Sequence, residues 1–205
     1  MTAPKPAPDL ATAPARAYRE RIVSLACQHL RGQPVARRAL DFGAGDGYVA
    51  TRLEREGVAR EIVCIDVTRR ERTFRDVTLY DGVRLPFEDR SFDLAYAIDV
   101  LHHCPDPTAG LRELCRVSRR HVLLKDHTYV TPLGWATLCA LDELGNRRFG
   151  IPSVYRYQRR WAWDAVLEAE GFTLADRVHP ATCEDRPWGR FTNALQFTAL
   201  WTRRA

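Results

Sequence analysis

Hydrophobic and polar positions alternate between helical and strand periods along the chain, and the switches mark its elements. Within residues 15–31, Tyr18, Ile22, Leu25, Ala26 and Leu30 recur at three- and four-residue spacing, and Gly32 ends the run. This pattern predicts an opening helix. Short apolar runs predict strands at 37–42, 61–66, 76–80 and 92–98, the third of them weak. Residues 47–57 read as a helix, and 107–118 put Leu111, Leu114, Cys115 and Val117 on one helical side. His121 to Lys125 reads as a fifth strand. Leu133, Leu138, Leu141 and Leu144 predict a helix ended by Gly145, and 159–170 another, ended by Gly171. Residues 172–178 and 191–202 read as closing strands, the latter long and alternating as in an antiparallel edge pair. No internal repeat is visible. The order β-α-β-α-β-α-β-α-β-α-β-β predicts an α/β fold: a doubly wound, seven-stranded sheet, mostly parallel with one antiparallel strand and helices on both faces.

The run Leu40-Asp41-Phe42-Gly43-Ala44-Gly45-Asp46-Gly47 gives the first strand its chemistry. Three glycines at alternate positions join a strand to a helix N-terminus. They permit positive φ and let a ligand approach the backbone closely. The free N–H groups of the helix start favour a polar or anionic ligand. Taken alone, the run also reads as a plain turn before a helix. No lysine follows it as in a P-loop, and its last glycine departs from the G-x-G-x-x-G dinucleotide spacing. About 20 residues on, Glu61-Ile62-Val63-Cys64-Ile65-Asp66 ends the second strand in a carboxylate, placed to accept hydrogen bonds from ribose hydroxyls.

A third segment carries a family resemblance. Asp81-Gly82-Val83-Arg84-Leu85-Pro86-Phe87-Glu88-Asp89-Arg90-Ser91-Phe92-Asp93, followed by Val100-Leu101-His102-His103, resembles the class I S-adenosylmethionine-dependent methyltransferases, in the type 11 branch with the ubiquinone and menaquinone ring methylases. The resemblance covers residues 35–127 and implies a Rossmann-like sheet binding S-adenosyl-L-methionine, with S-adenosyl-L-homocysteine as product. Carried over residue by residue, Gly43, Gly45 and Gly47 receive the methionine end, and Asp41 orients the turn and contacts the amino group. Asp66 binds the ribose hydroxyls and Val67 packs on the adenine. Asp81, with Gly82, meets the adenine amino group, and Ile98 adjoins the cofactor. The family's Gly-Gly turn before strand five is Ser118-Arg119-Arg120 here, which reshapes that turn.

His102 and His103 follow strand four at the carboxyl edge, where an imidazole can take a proton from a nucleophile. The other reading is a loop cap against Pro105. Lys125 ends strand five in a chain whose only other lysine is Lys5, so it is a catalytic candidate, against the plainer reading of a solvated strand end. Asp99 and Asp126 follow adjacent strands, as acidic metal ligands do in catechol-type methyltransferases. The resemblance is to metal-free enzymes, so no metal is expected. Residues 128–158 are too long for a connecting loop and are expected to lid the acceptor pocket. His127, Tyr155 and Tyr157 are candidate substrate contacts there, with Trp135 and Phe149 as further flat walls; some of these aromatics are expected to be ordinary core.

Composition narrows the setting. The chain has 205 residues, 45% hydrophobic and 28% charged, enough for a full core. No apolar run is long enough to span a membrane. Met1 to Pro14, rich in Ala and Pro, reads as a disordered leader, and 15–205 as the methyltransferase domain. Six cysteines without a C-x-x-C pair suit a reduced cytoplasmic protein. The net charge is +5, but the arginines are scattered rather than clustered, which disfavours nucleic acid as a partner. The expected activity is methylation of a small organic acceptor, aromatic or heterocyclic, of secondary-metabolite or quinone type, at O, N or C. The rivals are an RNA or protein methyltransferase and a non-catalytic cofactor-binding relative.

Overall fold

The computed structural model describes residues 13–146, 153–184 and 189–204. Its sheet contains β1 (Ala36–Phe42), β2 (Ala59–Asp66), β3 (Thr78–Leu79), β4 (Phe92–Ile98), β5 (Ser118–Tyr129), β6 (Gln158–Arg159), β7 (Phe172–Val178) and β8 (Gln196–Arg203). The strand order is β3-β2-β1-β4-β5-β8-β7, with the short β6 paired to the end of β5. β3, β2, β1, β4 and β5 pair in parallel, and β8 runs antiparallel to both β5 and β7. The expected doubly wound sheet with one antiparallel strand is therefore present.

The helices are α1 (Ala13–Leu30), α2 (Tyr48–Arg55), α3 (Pro107–Val117), α4 (Pro132–Asn146), α5 (Asp164–Ala169) and α6 (Gly189–Thr192). Strands β1, β4 and β5 are buried along most of their length, so they read as apolar runs rather than alternating ones. On one sheet face Phe42, Leu124 and Trp201 pack with Leu111 and Leu114 of α3 and Leu167 of α5. On the other, Ala39, Tyr96 and Leu200 pack with Val23 and Ala26 of α1 and Ala50 and Leu53 of α2. The sheet order reverses between β1 and β4. Ligands of such sheets bind in the crevice at the carboxyl ends of the two strands where the order reverses.

Several expectations change. The third strand shrinks to two residues, and no helix joins β2 to β3 or β3 to β4, so two of the expected crossovers are irregular chain. Strand five runs from Ser118 to Tyr129, not from 121 to 125. Without the family's glycines, Ser118-Arg119-Arg120 extends as strand straight from the end of α3. Arg119 is held there by Asp93. The helix expected at 159–170 is only Asp164–Ala169, because Gln158 and Arg159 pair with Thr128 and Tyr129. The strand expected from 191 starts at Gln196, after a short helical turn. Residues 1–12 of the expected leader, Phe149 and the turn at 147–152 lie outside the described residues.

Candidate active site

The glycine turn adopts the conformation its sequence demands. Gly43, Gly45 and Gly47 have φ of 74°, 58° and 74°. A Cβ on Gly43 would stand 2.2 Å from Val100 Cγ2, whereas one on Gly45 would meet nothing within 4 Å. Gly43 thus packs against the chain after β4, and Gly45 faces open space. Asp46 closes the turn just before α2, its Oδ1 accepting from the Tyr48 N–H at 3.1 Å, while its Oδ2 pairs with Arg19 of α1 at 2.7 Å.

Asp66 ends β2 beside this turn. Its carboxylate accepts from the Gly45 N–H at 2.8 Å and from the Thr68 N–H at 2.9 Å. Val67 is 58% exposed. It stands against Gly82 (φ 78°), where an added Cβ would meet Val67 Cγ1 at 3.1 Å. Asp81 lies exposed next to them and accepts from the Val83 and Arg84 N–H groups at 2.9 and 3.3 Å, which hold its carboxyl below the ordinary range. Asp41 is wholly enclosed within β1. Burial pushes its carboxyl up to about 7, with the Asp66 charge adding to the rise.

One cavity of about 790 Å³ opens at the β1/β4 crevice. Gly43, Gly45 and Asp46 form one end. Ile98, Asp99, His102, His103, His127, Asp142 and Tyr157 line it further on, and Tyr18, Arg19 and Ile22 of α1 cover it. Asp41, Gly47, Asp66, Val67, Asp81, Gly82, Lys125 and Tyr155 do not line it.

The histidine wall is built from three elements. His102, in a 3-10 turn after β4, is buried; its Nδ1–H donates to Asp126 Oδ1 at 2.6 Å. Asp126 Oδ2 accepts from the Leu101 N–H at 3.1 Å, and Oδ1 also from the His127 N–H at 2.7 Å. Burial opposes a charge on His102, but Asp126 and Asp142 overcome it and push the imidazole up to about 10; Asp126 is correspondingly held low. His103 and His127 are pushed down, chiefly by burial, with His102 and Lys125 respectively adding repulsion. Asp142 of α4 stands 3.8 Å from His102 Nε2 and 3.9 Å from His103 Nε2. Tyr157 stacks on His102 with ring centres 5.2 Å apart.

Lys125 is 1% exposed and stands behind the cavity wall, bonded to the lining residues Asp99 and Tyr18, so it is not the free strand-end ammonium its position suggests. Its Nζ donates to Asp99 and to the Tyr18 hydroxyl at 2.6 Å, and that hydroxyl donates to Asp99 Oδ2 at 2.8 Å. This network ties α1 to the tips of β4 and β5. Tyr155 bonds to Glu143 and packs against Trp135, outside the cavity. The pairing of Asp126 with His102 was not evident from sequence spacing; the signal is strand adjacency, since Ile98 pairs with Lys125 and brings the turn after β4 beside Asp126 of β5. Asp142 had one usable signal: it lies four residues after Leu138, on the same helical face.

Residues 40–124 match the family described as "Methyltransferase domain". The chain is 28% identical over 156 residues to the uncharacterized methyltransferase YcgJ of Bacillus subtilis, across 68% of this chain and 58% of that protein. It is 31% identical over 152 residues to a 27-O-demethylrifamycin SV methyltransferase of Amycolatopsis mediterranei, across 65% of this chain and 54% of that one. The chain therefore spans a little over half the length of these curated relatives. Its fold is shared with a geranyl diphosphate C-methyltransferase of Streptomyces coelicolor, solved with Mg2+, geranyl diphosphate and S-adenosyl-L-homocysteine, at a TM-score of 0.66 and 10% identity over 90% of this chain and 80% of that one. Over residues 40–124 the chain is thus similar to the S-adenosylmethionine-dependent methyltransferases of the type 11 family.

Proposed function

We propose that this protein transfers a methyl group from S-adenosyl-L-methionine to a small organic acceptor. The observation that carries the reading is one continuous cavity running from the glycine turn to the histidine wall. Its volume, about 790 Å³, is within the usual range for small-molecule sites and leaves room for an acceptor beside a cofactor.

In this reading the methionine end of the cofactor lies along Gly43 and Gly45, whose open side admits it. Asp66 holds the turn through Gly45 and offers its remaining lone pairs to the ribose. Val67, Gly82 and Asp81 form the adenine shelf, and Ile98 borders the sulfonium. Asp41 acts beneath the turn rather than at the cavity surface. The acceptor lies against His102, His103, His127 and Tyr157. The bound cofactor would supply an activated methyl carbon on its sulfonium, and these side chains would align the acceptor's nucleophilic lone pair with it. The proton of the acceptor leaves toward the histidine wall. The protein supplies alignment and charge; the cofactor supplies the reactive carbon.

A flat, aromatic or heterocyclic acceptor, such as a quinone-type or secondary-metabolite ring, fits the Tyr157–His102 stack. Scattered basic charge supports a small molecule over RNA. Lys125 serves as a positioning residue through Tyr18 and Asp99. Six free thiols suit a reducing cytoplasm. The test is incubation with methyl-labelled cofactor and an extract of the host. Label is expected in one small-molecule product. Label confined to RNA or protein, or no transfer at all, would overturn the reading.

A further inference from the structure

Three side chains of the cavity wall aim ligand atoms at one point. The donor atoms of His102, His103 and Asp142 lie within 4.8 Å of one another, with Asp142 Oδ1 at 3.8 and 3.9 Å from the two Nε2 atoms. Ligands of a first-row ion bound at about 2.1 Å stand about 3.0–3.4 Å apart, so the two Asp142 distances need to shorten by about half an ångström and no pair by more than about 1.5 Å, within reach of rotamer shifts. All three residues line the cavity.

The surroundings of His102 are a second, independent observation. Its far nitrogen, Nδ1, is fixed by Asp126, which is 0% exposed and itself held by two backbone N–H groups. Imidazoles that bind metals are held in this manner: the buried carboxylate keeps the proton on Nδ1, and the ion takes the place of the Nε2 proton that faces Asp142.

We propose that His102, His103 and Asp142 form a divalent transition-metal site on the cavity wall, with Asp126 as its positioning residue. Two imidazole nitrogens and one carboxylate select a zinc-, cobalt- or ferrous-type ion over magnesium or calcium, which take oxygen ligands. His102, Asp126 and His127 also bring their donor atoms within 4.8 Å. That trio is the poorer site, because an ion there would displace the hydrogen bonds to Asp126, which does not reach the cavity. The chosen trio leaves coordination positions open toward the acceptor. An acceptor hydroxyl bound there would lose its proton more readily beside the ion's charge. The site itself stands on the geometry alone; its use in activating an acceptor rests on the methyl-transfer reading. It departs from the metal-free expectation drawn from the family resemblance.

The test is titration of the chelator-treated full chain with Co2+, without cofactor or acceptor. A visible d–d band saturating at one equivalent is expected, reversed by Zn2+. Asp142→Asn and His103→Gln, each with wild-type circular dichroism, should weaken Co2+ binding at least about tenfold, and Asp126→Asn about 10- to 100-fold. His127→Gln should retain the band. Absence of a saturable band, or an equal band in Asp142→Asn and His103→Gln, overturns the site. A loss confined to His127→Gln and Asp126→Asn overturns it in favour of the deeper trio. Methyl transfer without a Co2+ site removes this inference alone, and a Co2+ site without methyl transfer removes only the functional reading.

Discussion

Asp66 accepts a hydrogen bond from the Gly45 N–H at 2.8 Å, joining the tip of β2 to the turn after β1. The same carboxylate holds the Thr68 N–H, so one side chain sets the shape of both loops at the cofactor end of the crevice. The acid that the sequence marks for a ribose also builds the glycine turn. Substitutions in this pair of loops should therefore separate folding from binding.

Gly43 and Gly45 should respond differently to alanine. At Gly43 the new methyl would overlap Val100 in a left-handed backbone, so Gly43→Ala should cost about 3 kcal/mol of stability, with Gly43→Ala/Val100→Ala recovering part of it. At Gly45 only the backbone penalty of about 1–2 kcal/mol applies, since nothing lies within 4 Å. The methyl of Gly45→Ala points at the ligand space, so S-adenosyl-L-homocysteine affinity should fall more than stability. Urea unfolding and calorimetry on both variants check this.

Asp41 should make stability fall as pH rises. Its folded pKa, raised by burial to about 7, lies above the unfolded value of about 3.9. Between these values the folded chain holds a proton that the unfolded chain has lost, so deprotonation costs the folded state progressively from about pH 4 to pH 7. Asp41→Asn removes that proton. Its urea midpoint relative to wild type should therefore improve from pH 5 to pH 8; a constant difference would show that Asp41 is ionised throughout.

Lys125 should matter for folding before chemistry. Lys125→Met would leave Asp99 and Tyr18 without the buried cation they share, at about 3–5 kcal/mol. Lys125→Met/Asp99→Asn should regain part of that loss. Thermal unfolding of the single and double variants reads both; an additive double variant would separate the two residues.

Tyr157 and Tyr155 divide the lid. Tyr157 lines the cavity and stacks on His102, whereas Tyr155 lies outside it on Glu143. Tyr157→Ala should impair acceptor turnover well beyond its effect on cofactor affinity, and Tyr155→Ala should do so less. Hydrogen exchange in 128–158 should slow when cofactor product and acceptor are added together, since lids order as they exclude water. Unchanged exchange, with full activity in both variants, would leave the segment a packing element.

The cofactor half of the site was legible in the sequence because its signals are local. A strand, three alternate glycines and an acid at the next strand tip lie within 27 residues, Leu40 to Asp66, and each reports its own backbone. The acceptor half depends on contacts between distant segments. Lys125 meets Tyr18 across 107 residues, and no pattern near either shows it. His102 meets Asp126 only because β4 and β5 are neighbours in register. The central strands were legible as continuous apolar runs. Strand five was cut short because its polar ends, Ser118 and Thr128, are buried by Arg203 and β6 rather than by apolar side chains. The two missing crossover helices follow from segments 67–77 and 80–91, whose turns are held by Asp66 and Asp81.

The most direct measurement is a calorimetric titration of wild type and Asp66→Ala with S-adenosyl-L-homocysteine. Wild type should bind at a single site. Asp66→Ala, folded by circular dichroism, should bind more weakly by about 1.5–3 kcal/mol, the scale of hydrogen bonds to a charged group. No binding by wild type, or equal affinity in the two proteins, would contradict a cofactor held between the glycine turn and the tip of β2.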